Sequence, residues 1–263
     1  MTMYDEKMRT DNAGTAGTTR SRRRPRGSLN QQVILDAAFA LAERGGLDAV
    51  TFQALGAELS AHPTAVYRHF RDKDELLLAM IDALHAQTLA ELPEATGDWA
   101  ADLAAIARHT HAVFQRHPAV AAHAYRTARR EHEFQIVERI IGCLRQAGLA
   151  APDAARLYRV YADFALGYSA LDAGLASLDP ATRHADLLSW EIQYRTLPPG
   201  QYPNIAAVAH ALPALDDPEN FNTAVDLMIE AIRARAAAAH DPGGLAERFD
   251  ECLSLCFRGN AGQ

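Results

Sequence analysis

The side chains best suited to binding chemistry in this sequence lie between Thr51 and Lys73. This stretch brings hydrogen-bonding groups, an aromatic ring and positive charges together, separated by mainly apolar residues. Hydroxyl, amide and basic groups of this kind bind the phosphates and the base edges of DNA. Eight residues are therefore candidates for DNA contact: Thr51, Gln53, His62, Pro63, Thr64, Tyr67, Arg68 and Lys73.

Two short helices joined by a turn would hold these side chains on one surface. Thr51 suits the N-cap of the first helix, and Pro63 suits the first position of the second, where its missing N–H costs nothing. We therefore interpret residues 51–70 as a helix-turn-helix, a motif whose second helix enters the major groove. The inward face of the pair is given by apolar residues at helical spacing, namely Phe52, Leu55, Leu59 and Val66.

Residues 1–27 are polar and end in a cluster of arginines. We predict a disordered basic arm in which Arg23, Arg24 and Arg26 contact phosphates or enter the minor groove, with a solvated tail as the alternative. Residues 1–75 contain 11 Lys and Arg against 10 Asp and Glu, whereas the rest of the chain contains 15 against 23. The formal net charge of −7 therefore belongs to the C-terminal part and does not argue against DNA binding.

The block from Leu29 to about Leu78 resembles the DNA-binding domain of the TetR/AcrR family of bacterial regulators. Its most specific mark is the run Tyr-x-His-Phe-x-x-Lys, which here occupies residues 67–73. The first helix matches through Ile34, Ala37, Ala38 and Leu41, followed by Gly45 and Gly46. The chain departs from the family pattern at three positions: Ser60 replaces a turn Gly, His62 replaces a small Ser, and Gly56 replaces an inner Ala.

The resemblance implies an all-α protein. An N-terminal helix-turn-helix DNA-binding domain, placed at 28–75, would be followed by a larger helical-bundle domain for ligand binding and dimerisation at 76–263. By family analogy the protein is a ligand-responsive transcriptional regulator, a repressor that binds double-stranded operator DNA as a homodimer and is released by a small-molecule effector. A two-fold dimer sets its recognition helices about 34–36 Å apart and requires a near-palindromic operator.

Helical periodicity continues through most of the remaining chain. The pattern predicts a linking helix over 72–91, and it predicts further helices over 98–116, 118–129, 131–147, 152–178, 182–196 and 217–238, with one more in the tail through Phe257. Two apolar seams stand out. The first comprises Leu157, Tyr161, Phe164, Tyr168, Leu171 and Leu175, and the second comprises Phe221, Val225, Met228 and Ile232.

An effector would bind between the helices of residues 98–178, where aromatic and polar residues mix. The candidate ligand-binding residues are His109, Phe114, His123, Tyr125, Phe134, Tyr161, Phe164 and Tyr168. Small residues on the long helix allow a second helix to approach closely, either from a dimer partner or from within the same subunit. The candidate dimer residues are Ala162, Ser169, Ala173 and Ala176.

Other function classes lack support in the sequence. No phosphate-binding Gly-rich loop, His-Glu-x-x-His helix or nucleophile elbow is present, so we expect neither an enzyme nor a cofactor. The histidines at 109, 111, 117 and 123 match no tight metal motif, and the three cysteines form no disulfide framework. Without an apolar run of about 20 residues or a signal segment, we expect a cytoplasmic protein with no membrane partner. The alternative is a helical small-molecule-binding or dimerisation module without specific DNA binding.

Overall fold

The structure, a computed structural model, describes residues 29–124, 130–212, 214 and 216–240. The predicted basic arm with Arg23, Arg24 and Arg26, the candidate Tyr125 and the predicted tail helix lie outside these residues. Within them every regular element is an α-helix, which confirms the predicted fold class. The helices are α1 (Gln31–Ala49), α2 (Phe52–Glu58), α3 (Pro63–Val66), α4 (Lys73–Glu91), α5 (Trp99–Arg116), α6 (Pro118–Ala121), α7 (Glu131–Gln146), α8 (Ala151–Ala176), α9 (Pro180–Thr196), α10 (Pro203–Val208) and α11 (Pro218–His240).

Most predicted helices are confirmed to within two residues at each end, but the one predicted over 118–129 is wrong in its described part. The α-helix ends at Ala121. Beyond it, the amide of His123 donates to the carbonyl of Val120, and the amide of Ala124 donates to that of Ala121. Each of these bonds joins an amide to the carbonyl three residues before it, which is the pattern of a tight turn. The chain therefore does not continue as an α-helix.

Helices α1 to α4 pack around one apolar core that holds the helix-turn-helix. Leu55 of α2 and Val66 of α3 are completely buried together with Ile34 of α1. Helix α1 contains a kink at Gly45 and Gly46, where Gly46 has a φ of 67° that L side chains rarely adopt. The predicted glycine stop therefore appears as a break between two helical segments.

Helix α4 connects this core to the rest of the molecule. Its first half contributes Leu76, Met80 and Leu84 to the core of the helix-turn-helix. Leu89, near its C-terminal end, packs against a second core formed by α5, α7, α8 and α11. Because Phe114 of α5 also lies in the first core, the two parts of the molecule share buried side chains. Helix α4 is therefore packed in both cores at once.

Helix α8 buries the predicted seam only in part, with Leu157, Phe164 and Tyr168 packed against the second core. Tyr161 is buried as predicted, but Leu171 is 71% exposed. From Tyr161 onward, the side chains that fill the interior recur every four residues, as expected where ridges of one helix enter the grooves of another. They are Ala154, Tyr161, Ala165, Ser169 and Ala173.

The prediction of Ser169 and Ala173 as dimer contacts is therefore wrong. Both residues are 0% exposed within a single subunit, so no partner can reach them. Their small size instead lets α8 pack closely against its neighbours inside the subunit. Ala162 and Ala176 are half-buried.

Candidate DNA interface and effector cavity

The helix-turn-helix begins with the predicted caps. The Thr51 hydroxyl oxygen accepts a hydrogen bond from the Ala54 amide at 3.1 Å, which satisfies a free N–H at the start of α2. At the start of α3, Nδ1 of His62 accepts from the Thr64 amide at 3.3 Å and lies 2.9 Å from the Thr64 hydroxyl. His62 thus caps α3 in place of the small Ser of the family pattern. Pro63 follows at the first helical position.

The other two departures from the family pattern are Gly56 in α2 and Ser60 in the turn between α2 and α3. Ser60 has a φ of 51°, a left-handed conformation in which a Gly would be less strained. At Gly56 a Cβ atom would stand 2.8 Å from the carbonyl oxygen of Ala61, closer than real Cβ atoms come. The Ala61 amide also donates to the Gly56 carbonyl at 2.8 Å. The chain therefore approaches itself closely at this point, and Gly56 makes that approach possible.

Most of the residues predicted to bind DNA are exposed. Tyr67 is 57% exposed, although its ring packs edge-on against Phe52 with ring centroids 4.4 Å apart. This contact fixes the ring while leaving the hydroxyl group accessible. Pro63 is half-buried in its structural position. The remaining candidates are exposed: Thr51, Gln53, His62, Thr64, Arg68 and Lys73.

Lys73 also has a role that the sequence did not indicate. Its Nζ donates a hydrogen bond to the carbonyl oxygen of Leu47 at 2.6 Å. The start of α4 is thereby tied to the short segment of α1 that follows the kink. An ammonium group has three donors, so Lys73 retains capacity for a phosphate.

The predicted ligand-binding residues do not converge on one cavity. Phe114 is fully buried in the shared core, whereas Phe134 is 56% exposed on α7. Phe164 and Tyr168 pack around the ring of Phe221. The remaining described candidates also lie apart: His109 contacts the carbonyl oxygen of Ala105, His123 lines a cleft near α1, and Tyr161 donates to the carbonyl oxygen of Leu103.

The histidines considered as metal ligands are likewise separated. Nε2 of His111 lies 2.8 Å from a carboxylate oxygen of Asp172, and Nδ1 of His117 lies 3.4 Å from one of Glu43. Across the described ranges, no group of three or more His, Cys, Asp or Glu side chains is arranged to hold a metal ion. Nor does any described helix combine the length and apolar character that crossing a membrane requires.

Two cavities lie along the path between the DNA-binding surface and the helical bundle. A cleft of about 510 Å³ is lined by residues of α1, α6 and the end of α8, and its walls include Phe39, Glu43 and His117. A smaller internal cavity of about 40 Å³ lies between α4, α5, α7 and α8. Tyr161 is the one predicted ligand residue among the side chains that line this internal cavity.

Sequence reasoning missed the polar groups of the internal cavity, His85 and Glu133. Burial lowers the pKa of His85 to about 4, so its ring is neutral at pH 7. Nδ1 of His85 and Oε2 of Glu133 are buried, and neither atom has a hydrogen-bond partner among the described residues. The available signal was the position of His85 next to Leu84, on the apolar face of α4.

An accessible helix-turn-helix, joined by one helix to a larger helical bundle with an internal cavity, defines the class of one-component transcriptional regulators. Residues 34–80 match the family model for bacterial regulatory proteins of the tetR family, and residues 92–236 match that for the tetracyclin repressor-like C-terminal domain. The chain therefore belongs to the TetR family of transcriptional regulators, as the sequence resemblance predicted.

The chain is similar to several named proteins and solved structures. The HTH-type transcriptional repressor Rv1353c of Mycobacterium tuberculosis is 35% identical over 158 residues, which are 57% of this chain and 60% of that protein. The chain thus matches about three-fifths of that relative's length. The repressor DrrR1 of Streptomyces coeruleorubidus is 26% identical over 197 residues, 72% of each chain. ActR of Streptomyces coelicolor in complex with actinorhodin has a TM-score of 0.68 and 25% identity, covering 79% of this chain and 98% of ActR.

Proposed function

We propose that the protein is a repressor that binds a near-palindromic operator as a homodimer and leaves it when a small organic molecule binds the helical domain. The observation that carries this proposal is the exposed polar surface of α2 and α3 on a fully buried apolar scaffold. Two relatives that are named repressors and the complex of ActR with actinorhodin support it. Such a protein acts in the cytoplasm, where its operator is located.

The proposed DNA contacts divide into two groups. Thr51, Tyr67 and Lys73 bind phosphates together with the arginine arm, and they supply affinity without sequence preference. Side chains at the start of α3 and beside it contact base edges and select the sequence. This second group comprises Gln53, His62, Thr64 and Arg68.

The surface proposed for dimerisation lies on the solvent side of α8 and α11. Leu171 of α8 is 71% exposed and Leu227 of α11 is 60% exposed, although most large apolar residues of these helices are at least partly buried. Val160 extends the same side of α8, and a Cβ atom added at Gly167 would meet nothing within 4 Å. An apolar strip with room for close approach suits a self-complementary two-fold contact between helices.

Effector release would operate through α4. A ligand that binds one arrangement of the regulatory helices more tightly shifts the population toward it, in proportion to the difference in affinity. Since the shared core joins α4 to the helix-turn-helix, this shift changes the spacing of the two recognition helices in the dimer.

The proposal is tested by titrating the full-length protein with DNA from its own promoter region at several salt concentrations. We expect tight binding to one promoter fragment, weaker binding to a scrambled fragment, and an affinity for both that falls as salt rises. The alternative, a helical ligand-binding or dimerisation module without specific DNA binding, predicts that no promoter fragment is preferred.

A further inference from the structure

The internal cavity contains two polar atoms that the fold itself does not satisfy. His85 is only 5% exposed, and the walls around it include Ile106, Ile136 and Ile140. Buried polar groups in native proteins are nearly always hydrogen-bonded, because leaving one unpaired destabilises the fold. Yet Nδ1 of His85 and Oε2 of Glu133 are both buried without a partner among the described residues. Two such atoms on the lining of one cavity indicate that the groups serve a ligand.

The chemistry of the two groups favours a ligand that donates hydrogen bonds and carries positive charge. An ionised carboxylate such as Glu133 accepts only, and a neutral imidazole offers one donor and one acceptor. Asp82 is not part of the lining, and its carboxylate contacts Nδ1 of His132 at 2.9 Å, so Glu133 is the carboxylate that a ligand would meet. An anionic ligand would meet the Glu133 carboxylate here, whereas a protonated amine would pair with it among apolar side chains, where charge-assisted hydrogen bonds are strong.

We propose that the effector of this regulator is a lipophilic amine, whose ammonium group is held by Glu133 and His85 while its apolar body lies among the isoleucines of α5 and α7. This inference rests on the proposed function, because it specifies the effector of that function.

The position of these groups connects binding to the DNA-binding domain. Asp82, one turn before His85 on α4, accepts hydrogen bonds from the backbone amides of His132 at 3.2 Å and Glu133 at 3.3 Å. It thereby joins α4 to the first turn of α7. The cavity of about 40 Å³ is far smaller than the roughly 300–1,000 Å³ of ligand sites, so an effector must separate α4 from α7 to enter. Binding is therefore coupled to displacement of the helix that carries the helix-turn-helix.

The test measures the binding of three matched probes to the full-length protein by calorimetry at pH 7. The probes are 4-phenylbutylamine, 4-phenylbutan-1-ol and 4-phenylbutanoate, which share one skeleton and carry a cationic, a neutral and an anionic head. We expect the amine to bind most tightly and the carboxylate least. Glu133→Gln should weaken amine binding by about tenfold or more and leave alcohol binding nearly unchanged. Glu138→Gln, an exposed substitution on the same helix, should change neither.

A variant of the second polar group separates a ligand role from a structural one. His85→Leu should weaken amine binding without lowering the thermal unfolding midpoint, because it removes an unsatisfied buried group. A lower midpoint with unchanged amine affinity would show that His85 is structural and would overturn the proposal. The proposal is also overturned if the wild-type protein does not prefer the amine to the alcohol and the carboxylate, or if Glu133→Gln keeps that preference. Promoter binding without probe is measured in parallel, so a failure of the repressor proposal is recognised independently.

Discussion

Single residues decide the geometry of the recognition turn. Gly56 looked like a loss of the family's inner Ala, but the structure shows a carbonyl oxygen where the Ala side chain would stand. His62 replaces the small Ser of the family pattern, and its ring accepts the Thr64 amide. The sequence could predict where α2 and α3 begin, since Thr51 and Pro63 act locally. It could not predict the Gly56 contact, because that contact depends on how the chain returns at Ala61.

The buried His85 gives a prediction about pH at the same scale. Its pKa is about 4 in the folded protein against 6.5 for the free side chain, so the unfolded chain binds the extra proton first on acidification. The contribution of neutral His85 to the free energy of unfolding is fully present above pH 6.5 and is lost as the pH falls toward 4. Between pH 7 and pH 5 we expect wild-type protein to lose about 2 kcal/mol more unfolding free energy than His85→Leu.

Urea unfolding of both proteins at the two pH values measures this difference. His210→Gln, which changes an exposed histidine, should lose as much as wild type. An equal loss in wild type and His85→Leu would mean that the buried ring does not control the acid response.

At the scale of elements, α8 shows why helix boundaries were easier to predict than helix faces. Its ends follow from local signals such as Pro152 near the start, whereas its orientation depends on what packs against it. The large apolar residues suggested a seam through Leu171, but the neighbouring helices contact the small residues at Ser169 and Ala173. Close packing of small side chains buries one face and leaves Leu171 exposed.

The exposed face of α8 yields a prediction about assembly. Leu171→Arg places a charge in the proposed dimer surface and has space around it in a single subunit, so it should convert the dimer to a monomer without unfolding it. Light scattering coupled to gel filtration measures the mass, and circular dichroism checks the fold. Phe134→Arg, which places the same charge at an exposed position of α7, should remain dimeric. A dimeric Leu171→Arg protein would place the interface elsewhere.

At the scale of the whole molecule, the N-terminal part and the helical bundle differ in charge and in packing, and α4 connects them. The N-terminal part presents an exposed polar surface, whereas the acidic bundle encloses a cavity with unsatisfied polar atoms. The domain order, the all-α class and the family were predictable because local motifs carry them. The predicted ligand-binding residues do not share one cavity, because aromatic residues that are near in sequence lie in different cores. Only tertiary packing brings His85 to Glu133.

The central claim is that the surface of α2 and α3 reads DNA, and the most direct measurement is the affinity of variants for promoter and scrambled fragments. Arg68→Ala and Thr64→Ala should each reduce the preference for the promoter fragment by about 5- to 150-fold. Arg139→Ala, which removes an exposed charge from α7, should leave that preference unchanged. If Arg68→Ala and Thr64→Ala bind both fragments as wild type does, this surface does not select DNA sequence and the account is wrong.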